Sequence, residues 1–193
     1  MRTVGLSFRS GAALFRKFHP APVQMPANRP RARSLLEEIQ QTRPFRSDSQ
    51  EAALALLRTA SVVSRRFARV VEPHGISLAQ YNVLRILRGA GPAGLPTLAI
   101  RDRMIDEGST VTRLLDKLEE AGLVSRDRSR PDRRQVLCTI TPAGEAMLVA
   151  LDPAMAAADD ATMSVLGAAE LRTLIALLGT LRTGGESRDG ERR

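Results

Sequence analysis

A short segment near the middle of the chain combines small hydroxyl side chains with long cationic ones at helical spacing. Its candidates are Ser109, Thr110, Thr112, Arg113 and Lys117. Hydroxyls can bond phosphate oxygens, and a guanidinium can donate two parallel hydrogen bonds to O6 and N7 of guanine. Lys117 lies one turn beyond Arg113, where a phosphate contact is expected. These residue types indicate contact with double-stranded DNA. In the alternative interpretation Thr110 and Thr112 only cap a helix, and Arg113 pairs with Asp116.

A second cationic cluster follows in the segment SRDRSRPDRR. It contains five arginines, of which Arg126 is the first, and two aspartates, Asp127 and Asp132. The segment therefore has a local surplus of three positive charges. Arginine at a hairpin tip can enter a narrow, A·T-rich minor groove, where the negative potential is strongest. The predicted DNA contacts here are Arg128, Arg130, Arg133 and Arg134. The alternative is a solvated turn held by Arg–Asp pairs.

Hydrophobic periodicity predicts the elements that must position these residues. Four helices are expected at about 48–72, 77–90, 96–105 and 109–122. Ser47 or Asp48 should cap the first helix, Ser77 the second, and Ser109 or Thr110 the fourth, while Pro96 suits the first turn of the third. After Gly122 the period changes from helical to alternating, which predicts a β-hairpin that turns around 130–132.

Two more helices are predicted after the hairpin. Thr141 should cap the first of them, with Pro142 at its first helical position, and Gly167 precedes the second. The last helix carries an apolar face made of Leu171, Leu174, Ile175, Leu178 and Leu181. The order α-α-α-α-β-β-α-α predicts a mainly α fold. Helices three and four with the basic hairpin predict a winged helix-turn-helix.

The charge is concentrated in the first part of the chain. The formal net charge is +8, yet residues 1–34 hold seven basic residues and no acidic one, so the remainder is nearly neutral. Residues 1–47 lack sustained periodicity and are predicted to be a disordered basic extension, and 184–193 a disordered tail. The extension has three interpretations: a targeting presequence, a basic DNA-binding arm, or sequence upstream of a true start at Met25.

Composition excludes several other classes. One cysteine and two histidines cannot supply a disulfide framework and argue against a structural zinc site, so no metal or cofactor is predicted and a reducing, cytoplasmic compartment fits. No apolar run approaches the roughly 18 residues of a membrane span, so a soluble protein with no membrane partner is expected. The string GAGPAG at 89–94 matches a dinucleotide-binding pattern, but it follows a helical segment instead of a strand. No enzyme motif is present, so catalysis is not expected.

The segment STVTRLLDKLEEAGLVSRDRSRPDRRQVLCTITPAGEAML resembles the core of the MarR-type transcriptional regulators. Its most specific part is the string Asp132, Arg133, Arg134, followed by the TITPAG motif at 139–144. The resemblance covers about residues 48–182. It implies a DNA-binding lobe at about 76–141 and homodimerisation through helices at about 48–72 and 142–182. It also implies base contacts by Thr112 and Arg113 and a minor-groove contact by Arg133 or Arg134.

The resemblance further implies a ligand-responsive repressor that binds a pseudo-palindromic operator as a homodimer and responds to a small aromatic effector. The sequence names no effector-binding residue. The runner-up hypothesis is a winged helix that binds other proteins and never recognises DNA sequence. Cys138, between Val136 and Ile140 on the second predicted wing strand, is interpreted as a small packing residue.

Overall fold

The computed structural model describes residues 33–106, 110–127 and 136–189. The helices and strands are α1 (Leu35–Glu38), α2 (Asp48–Val71), α3 (Leu78–Ala90), β1 (Leu95–Pro96), α4 (Thr97–Arg101), α5 (Val111–Glu120), β2 (Val124–Asp127), β3 (Leu137–Ile140), α6 (Pro142–Met163) and α7 (Ala168–Asp189). Short 3-10 turns at Glu72–His74 and Gly91–Ala93 follow α2 and α3. The predicted mainly α, winged helix-turn-helix class is confirmed.

Three helices begin at the predicted caps. The Ser47 hydroxyl accepts a hydrogen bond from the Gln50 amide, and the Thr141 hydroxyl accepts one from Gly144. At α3, Ser77 and Gln80 bond each other's backbone amides reciprocally. Each cap satisfies amides that the first helical turn leaves without a partner.

The three strands form an antiparallel sheet in the order β1-β3-β2. In the register of the sheet, Cys138 of β3 lies opposite Leu95 on one side and Arg126 on the other. Cys138 is fully buried, as expected for a packing residue. β1 was not predicted, and Pro96 lies in this strand instead of the first turn of the third helix.

The third helix also ends earlier than expected, at Arg101 instead of Ile105. Met104 turns into the core, and the Ile105 amide donates a hydrogen bond to the Asn82 side chain of α3. These contacts take the place of the hydrogen bonds that a helix continuing to Ile105 would form. Within this short helix Ile100 is fully buried, whereas Leu98 is exposed.

One core joins the winged-helix elements to the long helices. α3 lies at its centre and packs against α2, α5, α6 and β3, and α2 packs along α6. The start of α6 passes so close to the wing that a Cβ at Gly144 would clash with the Leu123 carbonyl. The segment at about 76–141, predicted to be the DNA-binding lobe, is therefore in direct contact with α6.

The helix α1 falls within the segment predicted to lack structure. Ser34 and Glu37 form a reciprocal cap at its start, and Glu38 forms an ion pair with Arg58 of α2 at 2.9 Å. The prediction is wrong for these few residues, because four residues are too few for a periodic signal. Within the described ranges, no single helix is long and apolar enough to span a bilayer, and α6 and α7 meet that test only as a pair bent by 98°.

Candidate nucleic-acid interface and adjoining cavity

The two faces of α5 differ in burial. Val111, Leu115 and Leu118 are buried and pack the helix onto the core. On the opposite side Thr112, Arg113 and Lys117 are exposed. Because one face is fixed by packing, the other presents its polar side chains on a rigid support, as a helix that enters the major groove requires.

The described part of the predicted site fits this arrangement. Thr110 occupies the N-cap position of α5, but its side chain makes no capping hydrogen bond. Arg113 forms no ion pair with the residues that the structure describes, and Asp116 pairs instead with Arg126. The alternative pairing of Arg113 with Asp116 is therefore not found. DNA contact by Thr110, Thr112, Arg113 and Lys117 stays a prediction.

The remaining predicted contacts lie outside the described residues. They are Ser109, Arg128, Arg130, Arg133 and Arg134.

Arg126 is buried between the second strand and α5. Its side chain is only 8% exposed, and it donates to Asp116 Oδ1 at 2.7 Å and to the Thr112 carbonyl at 3.2 Å. Its Nε lies 3.6 Å from Glu119 Oε2. Arg126 therefore ties β2 to α5 and neutralises carboxylates there. The strand alternation that places Val124 inward also places Arg126 inward, a signal that the sequence contained.

A cavity of about 700 Å³ has walls from α2, α3, α6 and the segment after α4. Its apolar lining includes Val63, Phe67, Leu78, Met104 and Met155. Volume and lining match those of a small-molecule site.

Charged groups on α3 and α6 form one wall of this cavity. Arg88 donates two parallel hydrogen bonds to Asp152, at 2.8 and 3.0 Å. The Arg88 hydrogen bond lowers the pKa of Asp152 below its ordinary value and raises that of Arg88. Burial raises the pKa of the neighbouring Tyr81. Sequence reasoning missed this pair, because its members are 64 residues apart.

Comparison with known proteins decides the family. The sequence matches the model of the MarR family over residues 76–136. A transcriptional regulatory protein for the hcr operon of Thauera aromatica is 32% identical over 132 residues, 68% of this chain and 78% of that protein. The crystal structure of a MarR transcription factor from Planctomyces limnophilus is 36% identical, with a TM-score of 0.55, and the match covers 70% of this chain and 98% of that one. The chain belongs to the MarR family.

Membership establishes the general function. The chain is a DNA-binding transcriptional regulator, and repression and homodimers are typical of its family. The chain is also similar to the structure of Bordetella bronchiseptica BpsR, with 24% identity and a TM-score of 0.60, and the match covers 72% of this chain and 98% of that one. At this identity the similarity shows the fold alone.

Proposed function

We propose that this MarR-family chain is a ligand-responsive repressor that binds a pseudo-palindromic operator as a homodimer, at the nucleoid of a bacterial cytoplasm. The exposed face of α5 carries the proposal. In the major groove, Arg113 would donate to guanine while Thr112 and Lys117 contact the adjoining backbone. Arg133 and Arg134 of the wing would enter the minor groove beside it.

Exposed apolar residues on α7 support the dimer. Ile175, Leu177 and Leu181 are each more than half exposed in the single chain. Leu177 and Leu181 are four residues apart and share one side of the helix, and exposed apolar side chains of this kind are typical of an interface between copies. A two-fold dimer would present two α5 helices to half-sites about 10 to 10.5 base pairs apart, or a multiple of that spacing.

The cavity supports regulation by a small aromatic effector. It lies between the lobe that carries α5 and the long helices α2 and α6, so a bound molecule would contact both. A ligand that favours one arrangement of these parts shifts the population of DNA-competent dimers. DNA binding by BpsR is regulated by 6-hydroxynicotinic acid, and we propose control of the same general kind here.

The test is selection of bound sequences from random duplexes, followed by titration of the recovered and scrambled duplexes at several salt concentrations. We expect an inverted repeat, an affinity that falls steeply with salt, and a preference for the repeat of at least about 1000-fold. Sedimentation should give twice the monomer mass. Equal affinity for recovered and scrambled duplexes, or no DNA binding, would favour the protein-interaction hypothesis and overturn the proposal.

A further inference from the structure

Asp116 places a carboxylate on the side of α5 that is proposed to contact DNA. At about 100° per residue, it projects about 40° from Thr112 and about 60° from Arg113 around the helix axis. Its side chain is 58% exposed, whereas the buried stripe of the helix faces the core. If α5 lies in the major groove, a negative charge therefore comes with it to the base edges.

A buried guanidinium orients this carboxylate. Asp116 Oδ1 accepts a hydrogen bond from Arg126 Nη1 at 2.7 Å. The Arg126 side chain is only 8% exposed, and it also donates to the Thr112 carbonyl at 3.2 Å. In an ordinary surface ion pair both partners are exposed and mobile. Here the cation is buried and the anion is exposed, so Arg126 orients Asp116 without covering it.

The second oxygen of the carboxylate has no partner in the protein. Within residues 33–106, 110–127 and 136–189, Asp116 Oδ2 makes no hydrogen bond. An ionised carboxylate can only accept hydrogen bonds. On duplex DNA it is repelled by phosphates and by the base acceptors, and the only major-groove donors are the amino groups of cytosine N4 and adenine N6. A carboxylate at the base edges is matched only by one of these two groups.

Of the two bases, cytosine suits a carboxylate better. Adenine presents the acceptor N7 beside its amino group, so a carboxylate aligned with N6 also meets the N7 lone pair. Cytosine presents its N4 amino group with no acceptor of its own in the groove. An asparagine amide suits adenine instead, because it accepts from N6 and donates to N7. The residue type at position 116 therefore points to cytosine.

We propose that Asp116 is a specificity-determining residue that accepts a hydrogen bond from the N4 amino group of a cytosine, with Arg126 as its positioning residue. Asp116 lies about 4.5 Å beyond Arg113 along the helix axis, and base pairs are about 3.4 Å apart. The cytosine should therefore lie within two base pairs of the guanine that Arg113 contacts. The inference rests on the proposed recognition of DNA sequence by α5.

The first test measures the affinity of the wild-type protein for duplexes in which one half-site base pair at a time is changed. At one position we expect cytosine to be preferred about tenfold over thymine and over guanine. A deoxyuridine–adenine pair at that position should bind as weakly as thymine–adenine. Deoxyuridine lacks both the amino group and the thymine methyl, so this result would assign the loss to the missing amino group.

The second test compares base preferences in two variants. Asp116→Asn keeps an acceptor for cytosine and gains a donor for adenine N7, so the ratio of cytosine to adenine affinity should fall about tenfold. Asp116→Ala should abolish the preference for cytosine at the same position. Glu120→Gln removes an exposed carboxylate from the last turn of α5 and is the matched control, with no ratio expected to change. Each ratio compares two duplexes with one protein sample, so it does not depend on the fraction that is folded.

Two outcomes would overturn the inference while leaving the proposed function intact. The first is an unchanged set of base preferences in both Asp116 variants, even if all duplexes bind more weakly, since this would make Asp116 only a structural partner of Arg126. The second is equal wild-type affinity for the cytosine and deoxyuridine duplexes. Failure of the wild-type protein to bind any selected duplex would instead overturn the proposed function, and this inference with it.

Discussion

Replacement of Arg126 by methionine tests the connection between the wing and α5. Methionine keeps the apolar stem and removes the guanidinium. The lost interactions are a 2.7 Å charged hydrogen bond to Asp116, a 3.2 Å bond to the Thr112 carbonyl and the nearby Glu119 carboxylate. Charged hydrogen bonds contribute about 1.5 to 3 kcal/mol and neutral acceptors about 1 kcal/mol.

The expected loss is smaller than that sum. Asp116 is 58% exposed, so water can hydrate it once the guanidinium is gone. We therefore expect the free energy of unfolding to fall by about 2 kcal/mol, or the melting temperature by roughly 4 to 8 °C. Operator affinity should fall about tenfold as well, because the Asp116 carboxylate would face DNA phosphates without the guanidinium of Arg126 beside it.

Calorimetric melting and operator titration measure the two effects separately. Arg66→Met removes an exposed arginine from α2 and should change neither. Adding Asp116→Asn to Arg126→Met should recover much of the DNA affinity but not the stability. The second substitution removes the unneutralised Asp116 charge, but it does not restore the hydrogen bonds between β2 and α5. Melting within 1 °C of wild type, together with wild-type DNA affinity, would refute the assigned role of Arg126.

Three other predictions follow from the fold. Gly144→Ala should lower the free energy of unfolding in urea by about 2 to 4 kcal/mol, because the added Cβ would clash with the Leu123 carbonyl. A change under 0.5 kcal/mol would contradict the close approach of α6 to that carbonyl. Leu177→Glu should produce monomers in sedimentation at micromolar concentration, because it places a charge on the proposed α7 interface, and an intact dimer would exclude Leu177 from that interface. The hydrogen bond from Arg88 lowers the pKa of Asp152, so its stabilisation is present above the ordinary carboxyl pKa of 3.8 and is lost as pH falls through the lowered value. Acid unfolding of Asp152→Asn should therefore show a weaker pH dependence in that window, and an identical profile would contradict the assignment.

Local patterns account for the parts of the fold that were predicted correctly. The caps at Ser47, Ser77 and Thr141 and the buried stripe of α5 depend on neighbours within one helical turn. The switch to alternation after Gly122 likewise lies in the sequence itself. Such features can be predicted because residues adjacent in the chain determine them.

Long-range contacts account for what was missed. The two residues of β1 form a strand only because Cys138 and Leu137 pair with them from more than 40 positions away. Composition alone also gave no sign that Arg126 is buried, which it is because it packs against α5. The cavity and its Arg88–Asp152 wall arise where α3 and α6 meet, which no local periodicity specifies.

The most direct test of the central claim compares Arg113→Ala with Lys117→Ala on a set of duplexes in which each operator base pair is changed in turn. If α5 recognises DNA sequence, Arg113→Ala should cost about 1 to 3 kcal/mol and relax preference at one position in each half-site. Lys117→Ala should weaken all duplexes similarly and reduce the salt dependence, while Arg172→Ala on α7 should change neither. Unaltered affinity and base preference in Arg113→Ala would contradict the assignment of α5 as the recognition helix.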